Sequence, residues 1–363
     1  MKKTTTKNRT AFISLALLPL FLLLVPSAFA CIWYVDGVNG NDDNDCKTLQ
    51  TACKTIGHAI SLAKPRNTIR VSPATYTENL TISKSLNIIG SDAATTIVDG
   101  GGVGTTIAVS STAQVALSKL TIRNGRSADN GGGIYNSGML TINKSTISGN
   151  FAQNNGGGIF NLSSLTIHRS TISGNRTSEQ FYWSYGGGIW SNIGTRTTIN
   201  NSTISGNAAL GFLPSYGGGI CNYGTLDINN STISGNWAAN GDGGNIISFY
   251  GQPTTLQNSI VGGSCSGTII SAGYNLSSDN SCNFNGPGDM NNTDPKLGPL
   301  QNNGGPTQTM KLLPGSPAID AGNPSGCTDS NGNLLTTDQR GRPRPGKEDT
   351  GGCDIGAFER QID

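Results

Sequence analysis

Between Lys119 and Gly263 the sequence places four carboxylates, Asp129, Glu179, Asp227 and Asp242, and one imidazole, His168. Two carboxylates flanking one glycosidic bond, about 5 to 9.5 Å apart, would hydrolyse it. Clustered acids with a Lys or Arg base would instead support calcium-assisted elimination. The four acids fall in different sequence units, and only Asp129 and Asp242 share a phase, four units apart. Stacked at the roughly 4.8 Å spacing of β-strands, those two stand about 19 Å from each other, too far to work as a pair. Arg123, Arg126, Arg169, Arg176 and Arg196 are scattered and read as a solvated face. His168 takes the place held by Asn143, Asn200 and Asn229 in neighbouring units, that of an outward turn residue rather than a base, and His58 belongs to another module. Asp320, Asp338, Asp354 and Glu359 stand beside Gly and Pro, where loop hydrogen bonds account for them. No cysteine spacing has the CxxC form of a zinc or redox site. The reading therefore assigns no catalytic residue, no metal and no cofactor.

Aromatic side chains offer a different chemistry, since sugar rings and apolar partner surfaces both stack on them. Fourteen of the 20 aromatic residues after position 30 fall between Tyr135 and Tyr250. Tyr135, Phe160, Trp190 and Cys221 each follow the Ile of a Gly-Gly-Gly-Ile motif, so strand alternation turns them outward. The segments before successive Gly triplets, 151–155, 176–185 and 208–216, differ in length, and the longer two carry Phe181, Tyr182, Trp183, Tyr185, Phe212 and Tyr216, with Trp237 in the next unit. The candidate ligand-binding set is Tyr135, Phe160, Trp183, Tyr185, Trp190, Tyr216 and Trp237. The competing reading is that the long turns fold back and bury their own rings. From Phe181 to Thr225 the only charge is Arg196, which suits a neutral glycan better than a polyanion.

What must position these rings is an internal repeat. Ser-Thr-Ile-Ser-Gly-Asn occurs at 145–150, 170–175, 202–207 and 231–236, and Gly-Gly-Gly-Ile at 131–134, 156–159, 186–189 and 217–220, with a degenerate copy at Gly243-Gly244-Asn245-Ile246. Units of this length cannot bury their own apolar face and must stack into a solenoid. Ile134, then Leu140 and Ile142, then Ile147 are separated by short polar or Gly-containing turns, which predicts three brief strands per coil. The Leu pattern of leucine-rich repeats and the Asp of calcium-binding nonapeptide rolls are both missing. A parallel β-helix remains. Two buried columns are predicted, Ile134, Ile159, Ile189, Ile220, Ile246 and Ile147, Ile172, Ile204, Ile233, Ile260. Asn150, Asn175, Asn207 and Asn236 end the hexapeptide in register and are predicted to form a structural amide ladder.

Composition fits this architecture: 51 Gly and 38 Asn in 363 residues with 13% charged argue against a helical bundle and against a disordered chain. The first 30 residues have a basic start, an apolar run from Ala11 to Val25 and Ala28-Phe29-Ala30, the order of a cleaved secretory signal. That run, broken by Pro19, is too short for a spanning helix. Cleavage would leave Cys31 first, so a lipid anchor is the alternative, against which stand Phe29 and the lack of a Leu three before the Cys. The remainder has 20 basic and 22 acidic residues, which gives nucleic acid no support as a partner. All eight cysteines lie in the exported part, and proximity pairs Cys46 with Cys53, Cys265 with Cys282 and Cys327 with Cys353. Residues 54–64 place Ile56, Ala59, Ile60 and Ala63 on one helical face, suited to capping the open N-terminal end.

The segment from Thr68 to Gly90 resembles the opening of right-handed parallel β-helix proteins of the pectin-lyase-like superfamily, with Ala74 where Gly is usual. The repeats are similar to those of the polymorphic outer-membrane proteins. Asn258-Ser-Ile-Val, Gly273-Tyr-Asn-Leu, Asp294-Pro-Lys-Leu-Gly-Pro-Leu, Asn303-Gly-Gly-Pro-Thr-Gln-Thr, Gly315-Ser-Pro-Ala-Ile-Asp-Ala-Gly, Asp338-Gln-Arg-Gly and Cys353-Asp-Ile-Gly-Ala-Phe-Glu359 resemble the choice-of-anchor Q domain of bacterial surface proteins. The resemblance implies export and supplies no catalytic residue. The expected organisation is a signal peptide over 1–30, cap and first coils over 31–100, β-helix repeats over 101–263 and a Cys-containing cap module over 264–363. The expected protein is an all-β, monomeric, secreted or cell-surface β-helix that binds a glycan or partner surface, an adhesin-like role. A polysaccharide lyase or glycoside hydrolase and a structural spacer are the alternatives.

Overall fold

The computed structural model describes residues 31–178, 183–346 and 352–361. The expected leader, Glu179, Phe181 and Tyr182 lie outside those residues. The chain folds as a right-handed parallel β-helix. In one representative coil the Gly triplet leads into Ile134–Asn136, followed by Met139–Asn143, Thr146–Ser148 and a two-residue strand, Phe151–Ala152. Equivalent strands stack in parallel sheets of eight, ten, nine and five strands, here called the triplet, middle, hexapeptide and fourth sheets. The sequence pattern predicted three strands per coil; the fourth is too short for alternation to reveal it.

Glycine is required at the triplet for two reasons. Gly156 has φ +65°, and a Cβ on the next residue, Gly157, would lie 2.4 Å from the carbonyl oxygen of Arg176, in the fourth strand that ends the same coil. The column Ile134, Ile159, Ile189, Ile220, Ile246 is paired strand to strand and shut off from solvent. The second column departs at its end from the predicted Ile260: Ile233 pairs with Val261, and Ile260 pairs with Thr232. The unit keeps its Asn-Ser register, so the residue after Ser259 faces outward like the Thr of earlier coils. Ile260 is nevertheless buried, under Leu276, Leu312, Ala318, Ile355 and Phe358.

Beside the apolar columns runs a buried amide ladder. The side-chain amide of Asn150 donates to Asn175, Asn175 to Asn207, and Asn207 to Asn236, each at 2.9 Å. Asn236 donates at 2.8 Å to Asn245, which stands in the degenerate triplet and closes the ladder. Each of the four donors also reaches a main-chain carbonyl of the preceding coil, those of Ile122, Ile147, Ile172 and Ile204. A parallel line of hydroxyls, Ser145, Ser170, Ser202, Ser231 and Ser259, accepts main-chain N–H groups from coil to coil.

The ends are closed differently. At the first, the helix Ile56–Leu62 buries Ile56, Ala59 and Ile60, with Thr55 capping the His58 N–H. At the other, Cys265–Gly267, Ile269–Ser271 and Leu276–Ser277 form the last coil. Disulfides join Cys46 to Cys53, Cys265 to Cys282 and Cys327 to Cys353. The chain then turns back and lies along the outer side of the hexapeptide sheet. Gln339 is the main contact: its amide donates to Thr171 at 2.9 Å and its carbonyl accepts from Thr203 at 2.7 Å. Two distant segments lock there, as the Asp338 carboxylate accepts the Arg340, Arg342 and Glu359 N–H groups and the buried Arg344–Glu359 pair closes at 2.8 Å.

Asn207→Ala removes an acceptor from Asn175 and donors from Ile172 and Asn236, leaving buried groups unpaired. Stability should fall by about 2–4 kcal/mol in urea unfolding. A loss under about 1 kcal/mol would show that the ladder does not hold the coils.

Candidate binding face

Pairing in the triplet sheet places Tyr135, Phe160, Trp190, Cys221 and Ile247 in one outward column. Coil spacing and ring-stacking distance are nearly equal, so rings in this column lie against one another. Phe160 lies 4.4 Å from Trp190 with planes 6° apart, and 5.2 Å from Tyr135. It is therefore only 6% exposed, and its faces serve the stack rather than solvent. Tyr135 and Trp190 are half-buried.

Cys221 is too small to continue the stack. Tyr223, two residues on, fills the place: its ring lies 5.7 Å from Trp190 and stacks on Phe249 at 4.8 Å. Burial under this cover pushes the Cys221 thiol well above its ordinary pKa. Tyr185 and Tyr216, each just before a triplet, stack on one another at 5.6 Å and stand nearly perpendicular to Phe249. Tyr250 contacts Tyr223 and is itself 76% exposed. Eight rings thus form one continuous patch. Tyr223, Phe249 and Tyr250 were missed by the sequence reading, although Tyr223 and Phe249 occupy the post-strand position held by Ser137, Leu162 and Asn192.

Of the seven expected ligand residues, Tyr135, Phe160, Tyr185, Trp190 and Tyr216 share this patch. Trp183 is 55% exposed on the loop that leads to Tyr185. Trp237 lies elsewhere, in the fourth sheet, in register with Ala208. The long turns do both things considered for them: Tyr185 and Tyr216 fold in, while Trp183 and Phe212 stay exposed.

The described acids of the coils are tied to neighbours or isolated. Asp227 pairs with Arg196 at 2.6 Å, Asp129 accepts from Asn130 and Asn154, and Asp242 is exposed. His168 sits in the Asn143, Asn200, Asn229 column, and burial, then Arg169 and Lys144, lower its pKa to about 4. In the C-terminal segment, Asp354 accepts the Asp320 and Arg360 N–H groups, as expected of a loop carboxylate. Among the described residues one trio of metal-type side chains converges, Cys46, Cys53 and His58, and two of its members are joined as a disulfide.

No family model and no curated protein matches this sequence. Among solved structures it is similar to pectate lyase Pel9A, at 15% identity and TM-score 0.48 over 91% of this chain and 96% of that one. It is also similar to pectin methylesterase PemA from Erwinia chrysanthemi, at 14% identity and TM-score 0.36 over 70% of this chain and 80% of that one. A pectin methylesterase mutant in complex with a hexasaccharide gives 15% identity and TM-score 0.37 over the same shares, 70% and 80%. Likeness this distant transfers neither residues nor activity, and the fold assignment rests on the strand registers above.

Two outcomes follow from this geometry. Cys221 should resist iodoacetamide in the native protein while exposed Cys31 reacts, and Tyr223→Ala should open Cys221 to labelling, read by peptide mass spectrometry; equal labelling of Cys221 in both proteins would contradict the cover. An unfolded His takes its proton near 6.5 and the folded His168 only near 4. The unfolded state thus binds more protons between these values, and stability should decline as pH falls through that window. His168→Asn should flatten the decline in denaturation measured from pH 7 to 4; an unchanged slope would contradict the assignment.

Proposed function

We propose that this chain is an exported bacterial surface protein, of the choice-of-anchor Q and polymorphic-repeat kind that its motifs resemble, which binds a glycan or partner surface without turning it over. One observation carries the reading: eight rings form a continuous patch along the triplet sheet, Tyr250 among them largely exposed, with Trp183 exposed on the loop before Tyr185. Five of the eight are tyrosines, whose hydroxyls can bond sugar hydroxyls while the rings contact C–H faces. Charge is sparse: Arg196 is engaged by Asp227 on the middle sheet, and exposed Asp242 holds, in its own coil, the pre-triplet place of Tyr185 and Tyr216. A neutral glycan fits this surface best.

The inner rings hold the patch in shape, and the exposed ones meet the ligand. The protein, applied to an array of neutral and uronate-containing glycans, should bind a neutral one. Trp183→Ala combined with Tyr250→Ala should weaken that binding about tenfold or more. Unsaturated products and reducing ends should stay at background with and without Ca²⁺. Undiminished binding by the double variant, or turnover abolished by replacing one acid, would overturn the proposal.

A further inference from the structure

The fourth sheet carries a second line of side chains that the aromatic patch does not use. Its outward column reads Arg126, Phe151, Arg176, Ala208, Trp237 in strict strand register. The guanidinium carbon of Arg126 lies 4.5 Å from the centre of the Phe151 ring and that of Arg176 5.9 Å. The ring between them holds two cations that would otherwise repel. Both arginines are exposed, and neither has an acidic partner among the described residues. Two clefts flank them, one of 260 Å³ bounded by Gln153, Thr177 and Leu210, the other of 320 Å³ bounded by Asn124, Gly149 and Gly174. Neither cleft is lined by a carboxylate.

Spacing along the column is regular. Arg126 and Arg176 are two coils apart, about 9.6 Å, and Trp237 lies two coils beyond Arg176. Trp237 is 59% exposed and makes no ring contact with another described residue, so its face is open. Ala208 leaves room between the tryptophan and the nearer arginine. An extended polysaccharide advances by about one coil per sugar, so alternate sugars meet alternate coils.

We propose that this column is a second carbohydrate site, for a linear polysaccharide bearing an oxyanion, sulfate or carboxylate, on alternate sugars. The chain lies along the helix axis, one sugar ring stacks on Trp237, and oxyanions two and four sugars away pair with Arg176 and Arg126. Guanidinium groups suit either oxyanion through paired N–H donors. The proposal does not rest on ligand binding by the triplet face.

Titration of the protein with dextran sulfate, polygalacturonate and unmodified dextran at low and high salt tests it. At least one anionic polymer should bind more tightly than unmodified dextran, and that preference should shrink as salt rises. Which polymer binds identifies the oxyanion. R126Q combined with R176Q should weaken binding about tenfold or more with the melting temperature unchanged. Trp237→Ala should weaken it too, while Trp183→Ala with Tyr250→Ala should leave it intact. Failure of both anionic polymers to bind, or full affinity in the double arginine variant, would overturn the proposal.

Discussion

The buried amide of Asn207 donates to the next coil and to a carbonyl of the preceding one, while its oxygen accepts from Asn175. Every other column depends on this constraint. An amide that must meet its counterpart one coil away fixes where each coil crosses the same corner, whatever the length of chain between. The extra residues of the longer units collect mainly at 176–185 and 208–216, between the ladder and the following triplet. Those inserted turns carry Trp183, Tyr185, Phe212 and Tyr216. Variation is thus confined to an edge where it changes the surface and leaves the core in register.

Register also decides what an aromatic residue can do. Rings in one outward column are brought to stacking distance by the strand spacing itself, so Phe160 spends both faces on its neighbours. Where the column is interrupted at Cys221, the adjacent Tyr223 fills the gap and links the stack to Phe249. Exposed ring surface is then left beside the column or at its margins, at Tyr250 and Trp183. On the fourth sheet alternation of residue type has another result: Phe151 separates Arg126 from Arg176 and keeps each charge on its own coil.

Much of this was legible because repeats expose themselves. Identical hexapeptides and Gly triplets disclosed the coil, the Ile columns and the Asn ladder, and sequence proximity matched all three disulfides. Single replacements were less legible. Asn245 was hidden in a degenerate triplet, Ile260 in a hexapeptide whose outward residue had become apolar, and Tyr223 at a position that is polar in some coils. The docking of the C-terminal segment had no local signal, since Gln339 meets Thr171 across 168 residues of sequence. Its Asp338 and Glu359 read as loop carboxylates until Arg344 and the flank of the coils are brought to them.

On the proposed function, the register-fixed aromatic surface of the triplet sheet is where this protein meets its ligand. Hydroxyl-radical footprinting of the protein with and without a bound neutral glycan, resolved by residue, tests it most directly. Protection is expected at Trp183, Tyr223 and Tyr250, with Trp237 unchanged. Protection confined to the C-terminal segment 294–361, or absent from the triplet face at saturating glycan, would contradict it.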